Sequence, residues 1–191
     1  SVFDMVDDVG EIKTQLYRNL LDDQYLNLSG QMGIDVVVES TGFFTTYEGS
    51  KKHIQAGAKK VVISAPVSDE AEAAGVTGAT VLMGVNDHLL STCQITSNAS
   101  CTTNAASPII GIMDEAFGIE KAILNTVHGY TASQALVDGP SKKDFREGRA
   151  AAQNIVPSST GAAVAVTKVL PQLAGKFDGI SIRVPVPVGS I

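Results

Sequence analysis

Cys101 stands in the run Ser97-Asn98-Ala99-Ser100-Cys101-Thr102-Thr103-Asn104, which holds one thiol and no bulky apolar side chain. Ser, Thr and Asn favour turns and helix caps. In the residues that follow, 105–117, Ile109, Met113, Ala116 and Phe117 keep the spacing of a core-facing helix stripe. The octet therefore predicts a thiol near a helix N-terminus. Unpaired N–H groups and the helix dipole at such a place favour thiolate over thiol and attract anions, the environment of a working nucleophile. The competing reading is the usual fate of a free cysteine, a small buried hydrophobe. On the octet alone, burial is the default.

The elements that must position such a thiol alternate along the chain. Residues 34–38 form a short β-branched run of the buried parallel-strand type, ending in Glu39-Ser40-Thr41-Gly42. Thr45-Thr46-Tyr47-Glu48 fits a capping box, Gly57 a helix stop, and 59–64 the next strand, broken by Ala65-Pro66. Strand, capped helix, strand is half of a doubly wound fold, which binds ligands at its strand ends. Residues 67–79, acidic and rich in Ala and Gly, read as a surface insertion. Short strands are expected at 80–85 and 92–96, with Cys93 a strand residue of no chemical role and with His53 and His88 on solvent faces.

Gly118 ends the helix after the octet, and a strand over 122–127 delivers His128, too far along the chain from Cys101 for one helix to join them. A lone histidine is more often structural. Residues 130–152 read as a charged loop with Asp138, Lys142, Lys143, Arg146 and Arg149. Thr160-Gly161 opens a helix over 162–170, stopped by Pro171, and its first turn is a second anion-competent site. Residues 179–188 alternate as a strand carrying Arg183, whose guanidinium suits bidentate phosphate contacts.

Composition limits the function classes. The 191 residues are 44% hydrophobic, enough for one or two cores. Twenty acidic residues against 14 basic ones give a net charge of −6, so there is no polycationic face for nucleic acid. Residues 1–32 hold an acidic patch at Asp4, Asp7 and Asp8 and receive no function, and Arg18 among them reads as a solvated surface residue. Cys93 and Cys101 lack metal-ligand spacing, so no metal is expected, and the printed sequence shows neither a signal peptide nor a long apolar span. No membrane partner is expected, and the cytoplasm is the default location.

The octet, Thr126-Val127-His128-Gly129-Tyr130-Thr131, Val137-Asp138-Gly139-Pro140-Ser141, the stretch 149–157, Ser158-Ser159-Thr160-Gly161-Ala162-Ala163 and Arg183-Val184-Pro185 occur in one order and spacing. Together with 35–42 and 56–66 upstream, they resemble the phosphorylating glyceraldehyde-3-phosphate dehydrogenase family over roughly residues 33–191. The resemblance implies an α/β chain: part of a Rossmann-type doubly wound NAD-binding domain over 1–99, then part of an α+β catalytic domain over 100–191 containing the S-loop, 130–152. It implies that the chain is cut at both ends, with a glycine-rich fingerprint before it and more catalytic domain after it, and that the piece alone does not turn over.

The same resemblance implies Cys101 as nucleophile and His128 as its activator. It places inorganic phosphate near Ser100, Thr102, Thr160 and Gly161, the phosphate of glyceraldehyde 3-phosphate on Thr131 and Arg183, and the nicotinamide cofactor beside Thr41 and Ser64. NAD is the family's habit, with NADP left open, and the full-length form is expected to be a homotetramer. Ala105 and Ala132-Ser133 depart from the family pattern; the latter bears on phosphate and cofactor contacts. Two other functions stay open: an inactive fragment serving as an interaction module, and a Cys–His thiol hydrolase. The hydrolase does not explain two helix-start phosphate sites.

Overall fold

The computed structural model describes residues 33–142 and 144–186, and the backbone of residues 3–6 and 13–16. The acidic patch, Arg18, Lys143 and the last residues of the expected strand 179–188 lie outside the residues or side chains described. Two units separate, Ser1–Ser100 and Cys101–Ile191.

In the first unit, strands β1 (Phe3–Val6) and β2 (Lys13–Leu16) pair antiparallel. A parallel sheet of order β3-β4-β6-β5 follows, built from β3 (Val36–Glu39), β4 (Lys60–Ile63), β5 (Gly78–Thr80) and β6 (Ile95–Ser97). Helix α1 (Tyr47–Gln55) joins β3 to β4. Alternate residues of the β-branched strands point into one core, where Ile34, Val37, Val61, Ile63 and Ile95 join Tyr47, Ala58, Ala71 and Ala74. Each large aliphatic side chain buried there contributes about 1.5–3 kcal/mol. Burial of Tyr47 pushes its phenol up to about 12.

Several expectations for this unit are corrected. The helix cap is Thr46, whose hydroxyl accepts from Gly49 N at 2.9 Å, so Glu48 is not its capping-box partner. Asp69 does that work from the segment 67–79: its carboxylate accepts from Tyr47 N at 2.8 Å and Glu48 N at 3.0 Å. The helix start thus gains a negative charge where the dipole favours one. With Ala71 and Ala74 buried, this segment is part of the core and not a surface insertion. The strand expected at 80–85 ends at Thr80. Cys93 is buried but precedes β6, and its carbonyl accepts from Lys60 Nζ at 3.1 Å.

His53 is the larger correction, because it is 2% exposed and not on a solvent face. Its Nε2 donates to Glu39 Oε2 at 2.9 Å, and its ring meets Phe44 edge-on with centroids 5.5 Å apart. A buried imidazole is tolerated there because a carboxylate pairs with it. His88 is exposed as expected. Beyond β6, Ala99 takes the left-handed φ of 55°, which costs a residue with a Cβ about 1–2 kcal/mol. Ser97 Oγ accepts its N–H at 3.1 Å and donates to Ala65 O at 2.7 Å, fixing the bend.

The second unit begins with α2 (Cys101–Phe117), followed by β7 (Ala122–Gly129), β8 (Val156–Ser158), α3 (Ala162–Val169) and β9 (Phe177–Val184). Central β9 pairs parallel with β7 and antiparallel with β8, so the chain belongs to the α/β class. Strand β8 follows the expected loop 130–152, and Pro157 is tolerated because β8 is an edge strand among those described. Helix α3 packs on β9 so closely that a Cβ at Gly179 would meet Ala163 Cβ at 3.2 Å.

Helix α2 reverses the expected polarity of its faces. Ile109, Met113 and Phe117 are 64%, 47% and 79% exposed, whereas Thr103 and Ser107 are fully buried. Small residues let the helix approach its neighbours, and the apolar stripe borders an open groove against β7 of about 390 Å³, lined by Ala105, Ala106, Ile109, Ile123 and Phe177 among others. Ile123, Val127 and Ile180 are also exposed on the strands.

Candidate active site

Cys101 is the first residue of α2 and is exposed. His128 is the penultimate residue of β7. Helix start and strand end bring them together: Cys101 Sγ lies 3.4 Å from His128 Nε2. The other ring nitrogen, Nδ1, donates to Gly129 O at 2.7 Å. A carbonyl only accepts, so Nδ1 carries hydrogen and Nε2 of the neutral ring is left as an acceptor facing sulfur. The pair is thus arranged for the thiol to hand its proton to the imidazole.

Arg183 sits opposite His128 in the β7/β9 register. Its Nη1 donates to the same Gly129 O at 3.4 Å. Thr131 follows within two residues, its hydroxyl 3.2 Å from Ser133 Oγ and its N–H donating to Gln134 Oε1 at 3.3 Å. Cys101, His128 and Arg183 therefore share one end of the β7/β9 pair. Thr160 and Gly161 lie at the start of α3, where Gly161 is the N-cap and the Thr160 hydroxyl accepts from Ala162 N at 3.1 Å; the Thr160 methyl would be 3.4 Å from a Cβ at Gly179, four residues before Arg183 on β9. Thr102 is buried and lines the apolar groove, and Ser100 is half-buried.

In the first unit Thr41 and Ser64 stand just past the C-terminal ends of β3 and β4, which are neighbours in the parallel sheet. The hydroxyl and N–H of Thr41 both donate to Glu39 Oε1, and the hydroxyl accepts from Phe43 N at 3.1 Å. Ser64 N donates to Glu39 O at 2.9 Å. Burial raises the Glu39 carboxyl, but the bond from His53 and those from Thr41 outweigh it and hold Glu39 below its ordinary value. Sequence reasoning missed Glu39 and His53. A glutamate closing a β-branched run was the one available signal.

The loop 130–152 holds itself together. Asp138 accepts from Arg149 Nε at 3.1 Å, Arg149 Nη2 at 3.2 Å and Ala150 N at 2.7 Å. These bonds hold its carboxyl below the ordinary aspartate value, the Ala150 N–H first among them. Gly139 N donates to Gly148 O at 2.9 Å, and a Cβ at Gly148 would stand 2.0 Å from Gly139 O.

An exposed thiol paired with an imidazole whose free ring nitrogen faces it, on an α/β scaffold, is an arrangement suited to a cysteine nucleophile. Comparison narrows the class. Residues 100–191 match the family described as glyceraldehyde 3-phosphate dehydrogenase, C-terminal domain. Glyceraldehyde-3-phosphate dehydrogenase 1 of Trichormus variabilis is 54% identical over 164 residues, covering 85% of this chain and 46% of that protein. The glyceraldehyde-3-phosphate dehydrogenases of Mycobacterium tuberculosis and Mycolicibacterium smegmatis are each 53% identical over 163 residues, with the same coverage. Residues 100–191 carry that family's C-terminal domain, and the chain, similar to these dehydrogenases over 85% of its own length, spans about half the length of the relatives it matches. Among the described residues no helix is long and apolar enough to cross a membrane.

Proposed function

We propose that this chain carries the thiol chemistry of an NAD-dependent, phosphorylating glyceraldehyde-3-phosphate dehydrogenase of glycolysis and gluconeogenesis. The observation that carries this reading is the 3.4 Å approach of Cys101 Sγ to His128 Nε2, with Nδ1 committed to Gly129 O. Cys101 gives its proton to His128 and adds as thiolate to the aldehyde carbon of glyceraldehyde 3-phosphate, and the carbonyl oxygen takes that proton back from His128 to form a thiohemiacetal with the imidazole neutral again. His128 takes the hydroxyl proton as that adduct is oxidised to a thioester. Inorganic phosphate attacks the thioester carbonyl, the C–S bond breaks, and 1,3-bisphosphoglycerate leaves. The N–H of Cys101, at the helix start, is the donor proposed for the oxyanion.

Arg183 and Thr131 hold the substrate phosphate. Arg183 is half-buried at the His128 end of the sheet and has guanidinium donors beyond the one given to Gly129 O. Inorganic phosphate is assigned to the helix starts at Ser100, Thr102, Thr160 and Gly161. Thr41 and Ser64, polar groups beyond adjacent parallel strand ends, fit a dinucleotide, and NAD is the proposed one. When bound, it supplies the hydride acceptor. The domain reading is that 1–99 belongs to the cofactor domain and 100–191 to the catalytic domain with its S-loop. The exposed apolar residues Ile123, Val127 and Ile180 support burial at subunit interfaces of a homotetramer, and the cytoplasm is the proposed location. Turnover is assigned to the full-length family protein, because the printed sequence holds no Gly-x-Gly-x-x-Gly run to cradle a pyrophosphate.

The test uses the thiol itself. Glyceraldehyde 3-phosphate is expected to slow iodoacetamide labelling of Cys101, and glyceraldehyde to do so only at much higher concentration. Equal protection by the two aldehydes, or none by either, would overturn the substrate assignment.

A further inference from the structure

We infer that Gln134 is a positioning residue for Thr131, and through it sets the preference for a phosphorylated aldehyde; this rests on the reading of Thr131 just given. After β7 the chain makes a turn from Thr131 to Gln134, closed by a bond from Gln134 N to Thr131 O at 3.0 Å. Gln134 closes the turn a second time through its side chain, Oε1 accepting from Thr131 N at 3.3 Å. Although Ser133 beside it is exposed, Gln134 is only 7% exposed.

Packing does not account for a buried amide at this position. Its Nε2 has no partner among the described residues, and a buried unpaired donor destabilises, so an apolar side chain of similar size would serve a purely structural role better. What the amide supplies is the oxygen that fixes the Thr131 backbone. The same segment is tied to the rest of its loop, since Ala135 N donates to Glu147 O at 2.8 Å and Ala151 N to Ala135 O at 2.9 Å. The Thr131 turn that Gln134 closes is therefore joined, through its neighbour Ala135, to the body of loop 130–152. The Thr131 hydroxyl, paired among the described residues only with exposed Ser133 Oγ, is left as the group able to turn toward a phosphate.

The experiment measures protection of Cys101 against iodoacetamide by glyceraldehyde 3-phosphate and by glyceraldehyde, in the 191-residue chain, for wild type, Gln134→Met, Thr131→Ala and the double variant. Gln134→Met is expected to weaken protection by the phosphorylated aldehyde about tenfold, the scale of one hydrogen bond to a charged group, and to leave protection by glyceraldehyde unchanged. The double variant is expected to match Thr131→Ala, because a residue that acts through Thr131 has nothing left to position. Equal losses for both aldehydes, additive losses in the double variant, or no loss would overturn the inference while leaving the thiol chemistry intact. A wild type that does not distinguish the aldehydes overturns both readings. If Gln134→Met does not fold, Gln134→Asn, which withdraws the acceptor by one methylene, is read the same way.

Discussion

His128 and Arg183 occupy matched positions on β7 and β9, and both donate to one atom, the carbonyl oxygen of Gly129, at 2.7 and 3.4 Å. The group proposed to activate the thiol and the group proposed to hold the substrate phosphate are therefore registered against each other by the strand ladder. The separation of these two groups is set by the backbone pairing of β7 with β9.

Cys101 and Cys93 are expected to separate sharply in reactivity. Cys101 is exposed beside an imidazole, whereas Cys93 is 7% exposed with no such partner. Brief iodoacetamide treatment near neutral pH followed by peptide mass mapping should find label on Cys101 alone. Equal labelling would mean that the geometry confers no activation.

Arg183→Ala should weaken the response to glyceraldehyde 3-phosphate by roughly ten- to a hundredfold, since charge-assisted bonds to phosphate are worth about 1.5–3 kcal/mol. Glyceraldehyde should be affected far less. A parallel loss for both aldehydes, seen in the alkylation-protection assay, would make Arg183 a structural residue of β9.

The Glu39–His53 pair should make the first unit acid-sensitive. Glu39 has its folded-state value held below the ordinary 4.5. A carboxyl depressed in this way stabilises the fold above its unfolded value and loses that contribution as pH falls through the folded one. Thermal melts taken from about pH 7 down to pH 3 should show stability falling below the ordinary glutamate range, and Glu39→Gln should flatten that limb. His53→Leu leaves the buried carboxylate without its buried partner and should cost about 3–5 kcal/mol in chemical denaturation. A neutral result for His53→Leu would show that the pair is replaceable.

Gly148→Ala should open loop 130–152. The added methyl would overlap Gly139 O, so the Gly139–Gly148 hydrogen bond must give way, a cost of about 1–3 kcal/mol for an overpacked site. Limited trypsin digestion should cut sooner at Lys142, Arg146 or Arg149 while α2 and the β7/β9 pair stay intact. Unchanged cleavage would show that the loop yields without loss.

What could be read from the sequence depended on how local the controlling physics was. The strand–helix–strand run at 36–63, the thiol at a helix start and the strand bearing His128 follow from patterns within a few residues. The Thr46 cap was off by one position because Asp69, more than 20 residues away, supplies the carboxylate that a local reading gave to Glu48. His53 looked solvent-facing because its partner is across a helix and a strand. The apolar stripe of α2 looked core-facing because periodicity tells which residues share a face, not what lies opposite. Gly129 O, central to the candidate site, is a backbone atom with no signature beyond the His128-Gly129 dipeptide.

Because the atom that fixes the His128 tautomer belongs to the main chain, no side-chain substitution deletes it. The orientation of His128 is in that sense insured against point mutation in a way that a carboxylate-held histidine is not, for there the orienting residue is itself a target. Its vulnerability is mechanical: a shift of one residue in the pairing of β7 with β9 would carry Gly129 O away from Arg183. An ester in place of the Gly129–Tyr130 peptide bond, which weakens the carbonyl as an acceptor without altering any side chain, would isolate that single contact.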